Sequence, residues 1–292
     1  MTIDTHRRRL LGAGATAALV GLSGCTGATP FVGKRIEGTH QLDLGEGDSL
    51  SVVGDNGDVT VRSGDASRLE SVKKSGSVFA DLSDATVAVD REGDAVSVEA
   101  RTDDDGSWFR GTPAIDLTSE VPDGATVETV RSSNGDVEVR GTSGDVSIAS
   151  DNGDALARNV DGEVTVETRN GDADARGVSG YVAAESRNGD VTVRNVGGLD
   201  RAESRNGDLE VEIPAVRDDV RVETWNGDVE AAVPTDLDAR ILLRTERGEV
   251  SLDESFEAET RADEYAEAGV ADADAEVRLR SSNGDVSVTA LD

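Results

Sequence analysis

From residue 135 to 207 a glycine falls every nine residues without a slip: Gly135, Gly144, Gly153, Gly162, Gly171, Gly180, Gly189, Gly198 and Gly207. Alternate members stand in Asn-Gly-Asp triplets, at Asn134, Asn152, Asn170, Asn188 and Asn206, so the unit is eighteen residues with two turns in each. Further triplets begin at Asn56, Asn226 and Asn283, and Arg247-Gly248-Glu249 is a degenerate copy. So short a fixed period restricts the chain to an array in which each unit packs on its neighbours. Between the turns, side chains alternate as in a strand. Val164, Val166, Thr168 and Asn170 share one face, Ala173 and Ala175 continue it past Gly171, and Thr165, Glu167, Arg169, Asp172, Asp174 and Arg176 point outward. The predicted fold is all-β, a parallel β-solenoid (β-helix) with eighteen-residue coils. Residue i then lies over residue i+18 at the strand spacing of ~4.8 Å. Gly171 and Gly180 supply the positive φ that tight corners need.

Stacking places like residues on like. Asn134, Asn152, Asn170, Asn188, Asn206 and Asn226 are expected to form an inward amide ladder. Two residues earlier, Ser132, Ser150, Thr168, Ser186, Ser204, Thr224 and Ser281 form a hydroxyl ladder, because inward polar groups are costly unless paired. Asp200 interrupts the apolar position of Val146, Val164 and Val182, which predicts a register shift near Gly197-Gly198. Regular coils are expected over 127–252, with a loop at about 99–113 and a short surface helix in the acidic, alanine-rich segment 253–276. A last coil closes over 277–288. At ~20 residues per coil the mature chain would hold about a dozen.

The N-terminus reads as an address. Arg7 and Arg8 form a twin arginine, and the apolar run from Leu10 to Leu22 is thirteen residues, short of the ~20 of a spanning helix. It ends in Leu22-Ser23-Gly24-Cys25, which resembles a lipobox. The expectation is a signal peptide over 1–24, a lipidated Cys25 with a tether to residue 33, and a solenoid domain over 34–292. That puts the protein on the outer face of the cytoplasmic membrane, with the lipid bilayer as partner through the Cys25 lipid. Sixty acidic and 29 basic residues leave a net charge of −31, and Lys34, Lys73 and Lys74 are the only lysines. Such acidity resembles proteins of extremely halophilic archaea and opposes binding to nucleic acid or directly to anionic lipid. With 36% hydrophobic and 3% aromatic residues, one large globular core is excluded and a thin repetitive one fits.

Ile115-Asp116-Leu117-Thr118-Ser119-Glu120-Val121-Pro122, Ser133-Asn134-Gly135-Asp136-Val137-Glu138-Val139 and the Ser/Thr-x-Asn-Gly-Asp repeats up to Asp285 carry a resemblance. They are similar to the bacterial and archaeal domain-of-unknown-function family of proposed adhesins, over most of residues 35–292. The resemblance implies a single-stranded parallel β-helix related to the head domains of autotransporter adhesins.

Chemistry is sparse. The histidines are His6 and His40, too few for a His-centred triad or a His-rich metal site. Paired carboxylates could act on a glycosidic bond, but acids are everywhere. Asp136, Asp154, Asp172, Asp190 and Asp208 stack at one corner, where calcium could bridge them. That corner has one glycine instead of a Gly-Gly-x-Gly-x-Asp loop, and Arg140, Arg158, Arg176 and Arg194 follow each Asp by four residues. Glu167, Glu185 and Glu203 likewise lie beside Arg169, Arg187 and Arg205. Ion-paired ladders without a cofactor are therefore expected, with Ca2+ as the alternative. Trp225, replacing the arginine of Arg169, Arg187 and Arg205, and Trp108 in the acidic loop are candidate contacts for a surface glycan or envelope protein. The leading reading is a non-enzymatic, lipid-anchored surface solenoid with an adhesin-like, structural or envelope-interaction role. A polysaccharide-active or glycan-binding β-helix and a calcium-stabilised spacer are the alternatives.

Overall fold

The computed structural model describes residues 33–77, 81–102, 112–269 and 273–291. Over these the chain is all-β, with a 3-10 turn at Leu82–Asp84, and no helix is long and apolar enough to cross a membrane. Ten coils stack, each with one strand before and one after the Asn-Gly-Asp corner or its equivalent. The strands before the corner form a first sheet and those after it a second, both parallel. Register follows the repeat: Val146 lies over Val164 and Val164 over Val182, while Asn134, Asn152, Asn170 and Asn188 continue one another.

The core is the space between the two sheets. Val146 and Ile148 share a coil with Ala155 and Ala157, Val164 and Val166 with Ala173 and Ala175, and Val182 and Ala184 with Val191 and Val193, all at most 4% exposed. A coil that carries two alanines on one strand carries larger side chains on the other, so the two sides of the narrow core compensate in volume.

Stacking order departs from chain order at both ends. Ser49–Asn56 and Val59–Ser63 form a coil between that of Ala95–Thr102 and Ala114–Val121 and that of Thr126–Asn134 and Val137–Arg140. The C-terminal coil, Glu276–Asn283 and Val286–Ala290, lies between Val220–Asn226/Val229–Val233 and Arg240–Thr245/Val250–Leu252. The expected run of regular coils over 127–252 is thus interrupted in space after Val233. A coil needs a corner that its neighbour's corner can hydrogen-bond to, and adjacency in the chain is not required.

Fewer coils form than the dozen expected, because several segments become antiparallel caps. Ala85–Glu92 pairs with Ala95–Thr102, and Arg68–Ser75 pairs with Ala114–Val121 and carries Lys34–Gln41 on its far side. At the other end Tyr265–Gly269 pairs with Arg240–Thr245 and is covered by Ala258–Ala262. The segment expected to form a surface helix over 253–276 therefore holds a hairpin. Its Ala266 and Ala268 are buried against the last coil, and an open sheet edge with unpaired amides outweighs the helix preference of alanine and glutamate. Of the loop expected at about 99–113, residues 99–102 belong to a strand that runs to Thr102, and 103–111 lie outside the described residues.

The register shift occurs where Asp200 announces it. Val182 pairs with Leu199 and Ala183 with Arg201, so Leu199 enters the core and Asp200 bulges out. Arg217 holds the bulge, reaching Asp200 at 2.5 Å and Glu163 at 2.5 Å while lying 4.4 Å from the centroid of the Tyr181 ring. Gly144 and Gly162 turn the second corner at positive φ (93° and 159°). Gly180 does not, contrary to expectation: there the corner opens and one strand runs through from Ala173 to Asn188. A Cβ on Gly180 would still stand 2.5 Å from the Gly162 carbonyl oxygen.

The first corner is the less forgiving. Gly189 has φ 152°, and a Cβ there would meet the Gly171 carbonyl oxygen at 2.0 Å. Gly189→Ala is expected to cost about 3 kcal/mol or more in denaturant unfolding, from backbone strain plus the lost close approach. Gly76→Ala, with nothing within 4 Å of the added carbon, should leave the midpoint unchanged.

Candidate functional site

At the corner each residue of the Asn-Gly-Asp triplet has a different partner one coil away. Asn152, Asn170, Asn188, Asn206, Asn226 and Asn283 each donate from Nδ2 to the Oδ1 of the previous asparagine, at 2.8–3.0 Å, beginning at Asn134. Arg247 closes the ladder by donating to Asn283 at 2.7 Å. The ladder faces solvent and not the core: Asn170 is exposed whereas Thr168 is buried. Strand alternation stops where the chain enters the turn, so the inner face ends at the hydroxyl. The buried hydroxyls of Ser150, Thr168, Ser186, Ser204, Thr224 and Ser281 each donate to a glycine carbonyl of the neighbouring coil at 2.8–3.0 Å.

The corner aspartates work as latches. Asp136 Oδ1 accepts the backbone N–H of Asp154, Asp154 that of Asp172, Asp172 that of Asp190, Asp190 that of Asp208 and Asp208 that of Asp228, at 2.8–2.9 Å. Asp116 and Asp58 extend the series at one end, Asp228 and Asp285 at the other. Repulsion between carboxylates ~4.8 Å apart is ~0.9 kcal/mol in water, whereas a hydrogen bond to a charged group contributes about 1.5–3 kcal/mol. The amide therefore decides the position of the carboxylate.

The arginines four residues on do not neutralise these corners. Arg62, Arg140, Arg158, Arg176 and Arg194 stack on the second sheet. Arg62 pairs with Glu120, Arg140 with Glu138, Arg176 with Asp174 and Arg194 with Glu210. Arginine and partner both project from the outer face of a strand, while the corner carboxylate is taken up by the next coil. Among the described residues no group of three or more His, Cys, Asp or Glu is arranged to hold a metal ion.

A groove of about 400 Å³ crosses the outer face of the first sheet. One of its columns carries Glu185, Glu203 and Glu223 on successive coils, continued by Arg280; the adjacent column carries Arg187, Arg205 and Trp225. The pairing expected of Glu-x-Arg neighbours does not form here. Arg169 turns to Asp151 on the next coil, at 2.7 Å, but Arg187 and Arg205, which stand between Arg169 and Trp225 in that column, make no ion pair among the described residues. Glu203 and Glu223 likewise make no ion pair or side-chain hydrogen bond. Trp225 is 62% exposed. The repeated outward Glu-x-Arg ending in Glu223-Thr224-Trp225 was the signal for this groove. Burial raises the pKa of Glu203; Arg201 opposes this, while Glu185 and Glu223 add to it.

Trp108, Cys25, Arg7 and Arg8 lie outside the described residues.

Residues 48–289 match the model of the Toastrack family DUF4097. A proposed cell adhesion protein of Clostridium sporogenes is similar at 9% identity and TM-score 0.30, covering 89% of this chain and 100% of its own. A proposed adhesin of Bacteroides fragilis is similar at 12% identity and TM-score 0.46, covering 88% of this chain and 97% of its own. No curated protein matches the sequence.

The glutamate column sets a pH dependence. Because the folded pKa of Glu203 lies above its unfolded value, the native state binds the proton more tightly, and stability falls as pH rises through that interval. Glu203→Gln is therefore expected to melt above the parent at pH ~7. The gap should close as pH falls below the ordinary glutamate value of about 4.3. A gap that persists at low pH, or none at neutral pH, would contradict this.

Proposed function

The chain belongs to the Toastrack family DUF4097, and on that footing we propose a non-enzymatic surface protein that engages a partner through the groove on its first sheet. It is exported by way of Arg7-Arg8, lipidated at Cys25, and held on the outer face of the cytoplasmic membrane with its solenoid outward. The observation that carries the binding reading is Trp225, 62% exposed at the end of a column whose Arg187 and Arg205 make no ion pair among the described residues. A large aromatic at a surface made rigid by stacking is a typical anchor for a partner, and one held on a sheet is presented with little loss of freedom on binding. Glu185, Glu203 and Glu223 share one column along the stack. They do not face each other across a bound chain as hydrolytic carboxylates would, which supports binding without cleavage.

Cell-envelope fragments from the producing organism, incubated with the purified mature domain, test the reading. Bound and intact envelope polymer is expected, with Trp225→Ala weakening binding about tenfold or more. In the producing cells Cys25→Ser should move the protein out of the membrane fraction. Cleavage of the polymer, undiminished binding by Trp225→Ala, or membrane retention of Cys25→Ser would each overturn the corresponding part.

A further inference from the structure

We infer that the groove is a subsite for an uncharged, hydroxyl-rich polymer, a neutral glycan chain, recognised by Trp225 together with Arg187, Arg205, Glu203 and Glu223. The inference rests on the binding face proposed above and names what that face takes. Three properties of the groove select the ligand class.

Its charge balances: Glu185, Glu203 and Glu223 stand against Arg187, Arg205 and Arg280, on a chain whose net charge is −31. A uronate or sulfated polymer would meet no local positive excess and would be repelled by the surrounding surface. A polycation would be attracted to the acidic surface at large, with no preference for this groove.

Four of the groove's charged groups are also unused, while Glu185 pairs with Arg201 and Arg280 with Glu246. Elsewhere on the solenoid most arginines have carboxylate partners, among them Arg62, Arg140, Arg176, Arg194 and Arg217. In the groove Arg187 and Arg205 offer donors, and Glu203 and Glu223 offer acceptors, without an ion pair or side-chain hydrogen bond among the described residues. Guanidinium and carboxylate side by side are the complement of vicinal hydroxyls, each of which both donates and accepts. Glu185-x-Arg187, Glu203-x-Arg205 and Glu223-x-Trp225 follow one another on successive coils, every ~4.8 Å, a spacing on the scale of one sugar ring.

Trp225 supplies the apolar part. Its exposed ring lies at the end of the arginine column, where the C–H face of a pyranose can cover it and bury area that a flexible polar side chain could not provide. Because the contacts are short-range and the groove is neutral, recognition does not depend on long-range attraction. It therefore survives salt at which the Debye length falls to ~3 Å.

A glycan array bearing neutral and uronate-containing oligosaccharides, probed with the mature protein at about 0.2 M and about 2 M KCl, tests this. Binding to one or more neutral glycans is expected, with affinity changed less than about threefold between the two salts. Trp225→Ala and Arg205→Ala should each reduce it about tenfold or more, without a change in melting temperature. Uronate glycans bound in preference, with Trp225→Ala still abolishing binding, would leave the binding face standing and overturn the ligand class. So would the absence of every neutral glycan from the bound set while the envelope is still held through Trp225. Equal envelope binding by the parent and Trp225→Ala would instead remove the face itself, and the subsite with it.

Discussion

In the regular part of this protein each side chain lies against its counterpart on the neighbouring coil, ~4.8 Å away. That single constraint selects residues that gain from meeting themselves. Asparagine can donate to and accept from a copy of itself, glycine allows backbone to touch backbone, and valine packs on valine. Aspartate is the apparent exception, since its copies repel. It is tolerated because each carboxylate caps the amide of the next coil, from Asp116 through to the Glu249 amide. The hydroxyls of Thr168, Ser186 and their counterparts meet the glycine carbonyls on the inner side of the same corner. Inside and outside, the corner is a set of hydrogen bonds between coils.

Corners that are alike are also interchangeable. Any segment bearing Asn-Gly-Asp can stack on any other, which is why the coil ending in Asn56 pairs with Asn134 and the coil of Asn283 with Asn226. Arg247-Gly248-Glu249 suits the end position because it takes what the ladder offers, with its arginine on Asn283 and its Glu249 amide on Asp285. Antiparallel strands then cover three of the four ends of the two sheets, edges that would otherwise invite pairing with other chains.

These two facts separate what was legible in the sequence from what was not. The coil, its corner and the shift at Asp200 were readable because they are relations between identical residues at fixed spacing. The outward turn of Asn170 was not, since alternation holds only within the strand. The latch was hidden by Arg176, which sits at the right distance from Asp172 in sequence but pairs with Asp174 on the strand. Coil order was concealed by the very sameness of the corners. The hairpin over Ala258–Ala262 and Tyr265–Gly269 was disguised by a helix-like composition. The groove was half-legible: Trp225 stood out, but that Arg187 and Arg205 make no ion pair follows from the order of their column, where Arg169 and Trp225 flank them, Asp151 is used by Arg169 and Glu246 by Arg280.

The groove gains its definition from the same stacking, since a flat laddered sheet holds Glu203 beside Arg205 and Trp225 one coil on. The proposed binding face therefore depends on the corner latch that fixes the coils. Native-state hydrogen exchange reads that latch directly at the amides of Asp154, Asp172, Asp190, Asp208 and Asp228. If the carboxylates bind them as described, these corner amides are protected to the level of global unfolding, like the strand amides of Val166 and Ala175. Exchange at the rate of exposed loop amides would contradict the account.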